Sequence, residues 1–104
     1  MEGANGRPEI GQIVKIVRGR DQGKYAVVIG YEGDRFALIA DGKKRKFDNP
    51  KKKNFIHLEP QDEISSEVVN SLSESGRVTN AKLRYAIQRY TEKIQSDTQT
   101  RKGE

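Results

Sequence analysis

Gly11-Gln12-Ile13-Val14-Lys15-Ile16-Val17-Arg18-Gly19-Arg20-Asp21-Gln22-Gly23-Lys24-Tyr25-Ala26-Val27-Val28 sets two apolar, strand-like segments around a short basic loop. Val14 and Ile16 alternate with Ile13, Lys15 and Val17, the period of a half-buried strand, and 25–29 is a second run rich in branched residues. Between the two the chain must reverse. Gly19 and Gly23 tolerate positive φ and close backbone approach, so the loop can stay tight while Arg18, Arg20 and Lys24 point outward. Two strands around a glycine-punctuated basic loop describe a small β-protein that offers cations to an anionic partner.

Moving outward, strands are expected over 12–18, 25–32, 35–40, 43–47 and 55–58. Gly33-Asp34 separates the second from the third. Asp41-Gly42 separates the third from the fourth, a strong hairpin signal because a type I′ turn needs positive φ at both central positions. Five short strands with tight turns predict a small closed sheet. Its core is expected to draw on Val14, Ile16, Ala26, Val28, Phe36, Leu38, Phe47, Ile56 and Leu58, and a slip of one residue in any strand would exchange its buried and exposed sets. After Pro60 the period changes. Residues 62–75 place Ile64, Val68, Val69 and Leu72 at helical spacing, with Gly76 as the stop. A second helix begins at Thr79 or Asn80, either of which can cap it, and carries Leu83, Ala86, Ile87, Tyr90 and Ile94 on one apolar face. The expected organisation is therefore mainly β with α: a five-stranded barrel over 10–60, a helical hairpin over 61–95, and flexible termini at 1–9 and 96–104. Helices this short are marginal alone in water, so the hairpin is expected to pack on the barrel or on itself.

The net charge of +5 is unevenly spread. Residues 1–60 carry 13 Lys and Arg against 8 Asp and Glu, or +5, whereas residues 61–104 carry 7 against 7, or zero. Lys43, Lys44, Arg45, Lys46, Lys51, Lys52 and Lys53 face only Asp48, a local +6 from 7 minus 1. Such a density repels itself unless an anion lies near, which points to a polyanion. With no cysteine there is neither a disulfide framework nor a thiolate metal site. No stretch is apolar enough to span a membrane and residues 1–9 lack a signal core, so no membrane partner and a cytoplasmic location are expected.

Catalytic readings fail for specific reasons. His57 is the single histidine, which leaves no pair for a metal, and it lies between Ile56 and Leu58 on an expected strand. Gly19 to Lys24 is one residue short of a phosphate-loop spacing, and Tyr25 replaces the Ser or Thr that would hold magnesium. Asp34 and Asp41 flank turn glycines, where their side chains bond nearby backbone. The chain is expected not to be an enzyme and to need no cofactor or metal.

Residues 11–28 resemble a KOW motif, in which strand, glycine-bearing loop and strand follow in this order. Phe36-Ala37-Leu38-Ile39, then Asp41-Gly42, the basic run and the closing Ile56-His57-Leu58-Glu59-Pro60 extend the similarity to the KOW domain of the eukaryotic and archaeal large-subunit ribosomal protein L-fourteen type. The resemblance covers about residues 10–60, roughly half of the chain. Gly23 matches the loop glycine of the motif, and Ala26 stands where a small residue, often glycine, is common. Such a resemblance implies an SH3-like barrel that binds RNA, commonly in ribosomal or transcription-linked settings; for this chain a ribosome- or translation-associated role on ribosomal RNA is expected. The short chain and its two helices depart from many ribosomal members and are similar instead to small bacterial KOW proteins described only as RNA-binding.

At the level of side chains, Arg18, Arg20 and Lys24 would reach phosphates from the first loop, and Lys43, Lys44, Arg45, Lys46, Lys51, Lys52 and Lys53 would extend the contact along another edge. The free protein is expected to be a monomer. The alternatives are an SH3-like protein-interaction module or a transcription-linked KOW factor. Peptide-binding barrels expose an aromatic groove, which a chain with no tryptophan and seven aromatic residues is poorly supplied to build. The C-terminal helices are the better candidates for a protein contact.

Overall fold

The computed structural model describes residues 7–103, with side chains described for 7–96; the part of the expected flexible N-terminus at 1–6 lies outside the described residues. Five strands form one antiparallel sheet in the order β4-β3-β2-β1-β5. They are β1 (Gln12–Ile16), β2 (Tyr25–Glu32), β3 (Phe36–Ala40), β4 (Lys51–Asn54) and β5 (Leu58–Ile64), followed by α1 (Ser66–Ser75) and α2 (Asn80–Gly103). Ile13 lies opposite Val27, Val14 opposite Ala26, and Val28 opposite Ile39.

The outer strands β4 and β5 are not paired with each other among the described residues, yet the three-residue 3-10 turn Phe55–His57 joins them. Four inter-strand steps of about 4.8 Å would hold the edges of a flat sheet about 19 Å apart. Four residues span at most about 14 Å when extended, and a 3-10 turn advances only about 2 Å per residue. The sheet must therefore curl back toward itself without closing. Register shifts between Val28 and Gly30 and between Gln12 and Val14 supply local bends. Val17 N–H donates to His57 O at 3.0 Å and Phe55 N–H to Arg35 O at 2.9 Å, which ties the connecting turn to the chain beyond β1 and ahead of β3.

Curling gives the sheet two cores. The concave face buries Val14, Ile16, Ala26, Val28, Ala37, Ile39 and Leu58, with Ile10, Tyr31 and Phe55 packed at its margin. The convex face buries Ile13, Val27 and Ala40 under Val68 of α1, Val78 of the connection, and Leu83, Ala86 and Tyr90 of α2. Burial on both faces explains why β2 reads as an almost unbroken apolar run instead of a clean alternation. Both helices are capped: Ser65 Oγ accepts from Val68 N–H at 3.3 Å, Gly76 ends α1 with φ of 74°, and Thr79 Oγ1 accepts from Lys82 N–H at 3.2 Å. Two glycines let the helices approach. A Cβ on Gly11, φ 85°, would meet Val69 of α1, and one on Gly42, φ 80°, would meet Asn80 O and Arg84 of α2.

Several expectations need correction. β3 is offset by one residue: Ala37 and Ile39 fill the concave core, whereas Phe36 and Leu38 are half-buried. Phe47 packs at the margin of the helix-covered core instead of the concave one, and Ile56 is 77% exposed on the 3-10 turn. Residues 43–47 are not a strand. Asp41 Oδ1 accepts from Lys43 N–H at 2.8 Å and from Arg45 N–H at 2.9 Å, so the side chain takes backbone donors that a hairpin ladder would have used. The fourth strand is instead the lysine run 51–54, an outer strand whose charges suit an unpaired edge. β5 continues to Ile64, across the 60–61 junction, so the first helix starts at Ser66 and not near Asp62.

Candidate nucleic-acid interface

Residues 17–24 form a loop tightened by its own backbone. Gly23 N–H donates to Ile16 O at 2.7 Å, Ile16 N–H to Lys24 O at 2.8 Å, Lys24 N–H to Asp21 O at 3.0 Å and Gln22 N–H to Gly19 O at 3.2 Å. With these groups satisfied locally, Arg18, Arg20 and Lys24 are left exposed. Residues 41–50 form the second loop, organised by Asp41 and closed by Asp41 N–H and Gly42 N–H donating to Arg45 O at 2.8 and 3.0 Å. It is fixed to α2 at two points: Phe47 N–H donates to Asn80 Oδ1 at 2.8 Å and Arg84 Nη1 to Gly42 O at 2.8 Å.

The two loops meet at Asp21. Lys44 Nζ lies 3.2 Å from Asp21 Oδ1, and Lys24 Nζ lies 3.9 Å from the same oxygen. The Lys44 hydrogen bond, with the charges of Lys44, Lys24 and Arg45, outweighs desolvation and holds the Asp21 carboxyl below its ordinary range. Exposed pairs of this kind add little stability. They bring Lys44 of the second loop against Asp21 and Lys24 of the first.

Beneath this bridge opens a cleft of about 730 Å³ between the loops and α2. Its wall carries Lys24, Lys43, Lys44, Arg45, Lys51 and Arg84 against Asp21 and Asp41, a local charge of +4 from 6 minus 2. Its apolar lining comes from Ile16, Tyr25, Ala26, Ile39 and Ile87. The Nε of Arg45 is buried with no hydrogen-bond partner among the described residues.

Of the ten cations singled out in the sequence, Lys24, Lys43, Lys44, Arg45 and Lys51 thus come together on one cleft. Lys53 Nζ lies against Gly19 of the first loop, where an added Cβ would stand 2.8 Å from it. Arg18, Arg20 and Lys46 are exposed and off the cleft lining. Lys52 belongs elsewhere: alternation along β4 turns it to the other face, where it pairs with Glu32 at 3.4 Å and lies 4.8 Å over the Phe36 ring. Sequence reasoning missed the contribution of α2. Arg84, Ile87, Gln88 and Thr91 fall at i, i+3, i+4 and i+7, one helical face beside the apolar stripe, and that spacing is the signal that could have found them. Three other α2 cations are engaged away from the cleft: Lys82 Nζ donates to Ser71 Oγ at 2.8 Å, Lys93 pairs with Glu63 at 3.1 Å, and Arg89 lies over Tyr85.

His57 sits half-buried in the 3-10 turn, and its backbone oxygen serves Val17. No group of three or more His, Cys, Asp or Glu that could hold a metal occurs among the described residues. Within the same residues no helix is long and apolar enough to cross a membrane.

Fold and site together define a small basic protein in which a curled antiparallel sheet, covered on one face by two helices, presents a cationic cleft. The chain is 45% identical over 71 residues to a protein of Bacillus subtilis (strain 168) named "Putative ribosome-binding protein YbzG", a match that takes in 68% of this chain and 96% of that protein. The chain belongs to the family of that protein. No protein-family model matches it.

Proposed function

We propose that the protein is a non-enzymatic, ribosome-associated RNA-binding protein that grips the phosphate backbone with its two basic loops. The reading rests above all on one observation: residues 17–24 and 41–51, distant in sequence, converge on a single cleft where cations outnumber carboxylates by 6 to 2. A surface designed only for solubility has no reason to gather like charges, which cost repulsion unless a polyanion relieves it. The name of the Bacillus relative supplies the ribosome as the setting, and ribosomal RNA is the polyanion such a partner offers. The curled sheet, with its edges drawn together by a three-residue turn, suits the SH3-like, KOW-type barrel that the sequence resembles. Lys24, Lys43, Lys44 and Arg45 are the primary phosphate contacts, Arg18, Arg20, Lys46, Lys51 and Lys53 extend them, and Lys52, turned to the opposite face, contributes least. Location in the cytoplasm follows from a ribosome partner.

Co-sedimentation of the protein with ribosomes tests this directly. Wild type is expected in the ribosome pellet at low salt and in the supernatant at high salt, and a Lys43→Glu, Lys44→Glu, Lys46→Glu protein in the supernatant throughout. Undiminished sedimentation of the folded triple variant would contradict the assignment.

A protein contact through the helices is favoured by one further observation. Ile64 at the end of β5 and Tyr85 on α2 are about half exposed and border one shallow depression. Tyr85→Ala is expected to weaken ribosome association while leaving affinity for naked RNA unchanged; equal loss in both assays would remove the second reading.

A further inference from the structure

Phosphate binding alone does not account for the cleft. Cations on loop tips are enough to hold a backbone, whereas here a cationic rim surrounds an apolar floor made by Tyr25, Ile39 and Ile87. Its volume of about 730 Å³ falls within the range of pockets that enclose small organic ligands, about 300 to 1,000 Å³. A ligand that satisfies both linings has a flat, largely apolar part and an anionic part. Resting on the RNA-binding reading above, we propose that the cleft is a nucleotide pocket, in which one nucleotide of an RNA strand leaves the stack, lays its base on the floor between Tyr25 and Ile87, and sets its phosphate on Lys24 and Lys44.

Three features bear on this assignment. The Tyr25 ring is held edge-on by Tyr90, with centroids 5.5 Å apart and planes at 71°, so the platform is rigid before a base arrives. Aromatic rings of this kind serve as stacking platforms in single-strand recognition. The buried Arg45 Nε retains a donor with no partner among the described residues, a cost that an acceptor on the ligand would remove. Finally, α2 supplies hydrogen-bonding groups at the rim. Arg84 spends Nη1 on Gly42 O and keeps other donors of its fork; Gln88 spends one Nε2 proton on Glu92 Oε2 at 3.1 Å and keeps its second N–H and its Oε1 for a base edge. Unstacked bases in loops and single strands are the form in which proteins read RNA by its bases.

Amide resonances of the intact, isotopically labelled protein distinguish this pocket from a plain phosphate site. Three ligands are compared: adenosine monophosphate, ribose 5-phosphate and a short single-stranded RNA. Adenosine monophosphate and the RNA are expected to shift Tyr25, Ile87, Gln88 and Thr91, whereas ribose 5-phosphate shifts only residues of the two loops. Identical, loop-confined shifts for all three would overturn the pocket while leaving phosphate binding in place. Shifts at α2 with the mononucleotide but not with the RNA would overturn the RNA strand as occupant. Absence of RNA binding at every salt concentration would overturn the parent reading itself. A pair of variants adds an energetic check. Arg84→Ala removes a cleft cation and Arg89→Ala an equal charge on another face of α2. RNA affinity is expected to fall about tenfold for the first and less than twofold for the second, with Gln88→Ala losing severalfold as a substitution that leaves the charge unchanged. Equal losses for both arginine variants, or no loss for Gln88→Ala in a folded protein, would contradict the pocket.

Discussion

The two surfaces flanking β1 and β2 solve opposite problems. On the convex face Ile13, Val27 and Ala40 disappear beneath Val68, Leu83 and Tyr90, and charge is excluded from the contact. At the cleft the β1–β2 loop meets the β3–β4 loop, and lysines and arginines from both gather around Asp21. The first arrangement stabilises the chain, and the second leaves it with unsatisfied charge. On the proposed reading, stability and binding reside on different sets of residues, joined by α2, whose Leu83 is buried in the core while Arg84 lines the cleft. A surface that does not hold the fold together is free to carry a charge density that only a partner relieves.

That division can be broken most severely at Leu83. Leu83→Ala leaves a cavity in a fully buried site and is expected to cost about 2 to 5 kcal/mol in denaturant unfolding. RNA affinity of the fraction still folded should be nearly unchanged. The converse is expected for Lys43→Glu, Lys44→Glu, Lys46→Glu: a loss of RNA affinity of about a hundredfold, roughly 2.8 kcal/mol, with a melting temperature close to wild type. A collapse of both properties in either protein would mean that the two surfaces are not separable.

Gly42→Ala forces a side chain onto Asn80 and Arg84 in the left-handed region, and about 1 to 3 kcal/mol of destabilisation is expected, with weaker RNA binding as the second loop shifts. Burial pushes the Tyr90 hydroxyl above its ordinary 10.0, helped by Tyr25 and Asp62. A raised value in the folded state means that this contribution is fully present below about pH 10 and is lost as pH rises through the folded value. Unfolding curves should therefore weaken in that alkaline window, and Tyr90→Phe should flatten the dependence while giving up the 2.7 Å hydrogen bond from the hydroxyl to Gln61 Oε1. The smallest effect is assigned to Asp21→Asn, which releases Lys44 and Lys24 and should raise RNA affinity about two- to fivefold. A decrease would show that the carboxylate positions the lysines instead of competing for them.

Much of this was legible in the sequence, and the failures share a cause. β1, its glycine loop and β2 followed from alternation and from Gly19 and Gly23, and the two helices from the spacing of Val68, Leu72, Leu83, Ala86 and Tyr90. β3 slipped by one because Leu38, Ile39 and Ala40 are all apolar in a sheet buried on both faces, which removes the alternation that sets register. The strand expected over 43–47 failed because Asp41 bonds the backbone on the far side of its own turn, an outcome that local propensity does not encode. Candidate cations were visible as residue types, but which of them meet was not. The Lys44–Asp21 contact spans 23 positions and that of Arg84 with Gly42 spans 42. Lys52 and Lys51 are adjacent in sequence and opposite in space for a reason as simple as strand pleat.

If converging basic loops hold RNA by its phosphates, RNA affinity must fall steeply with salt. With a labelled structured RNA and the intact chain, log K against log salt is expected to fall with a slope of about −3 to −5, corresponding to about four to six neutralised phosphates. The slope should shrink by about two to three units in the Lys43→Glu, Lys44→Glu, Lys46→Glu protein. A slope near zero for wild type, or one that the triple substitution leaves unchanged, would contradict it.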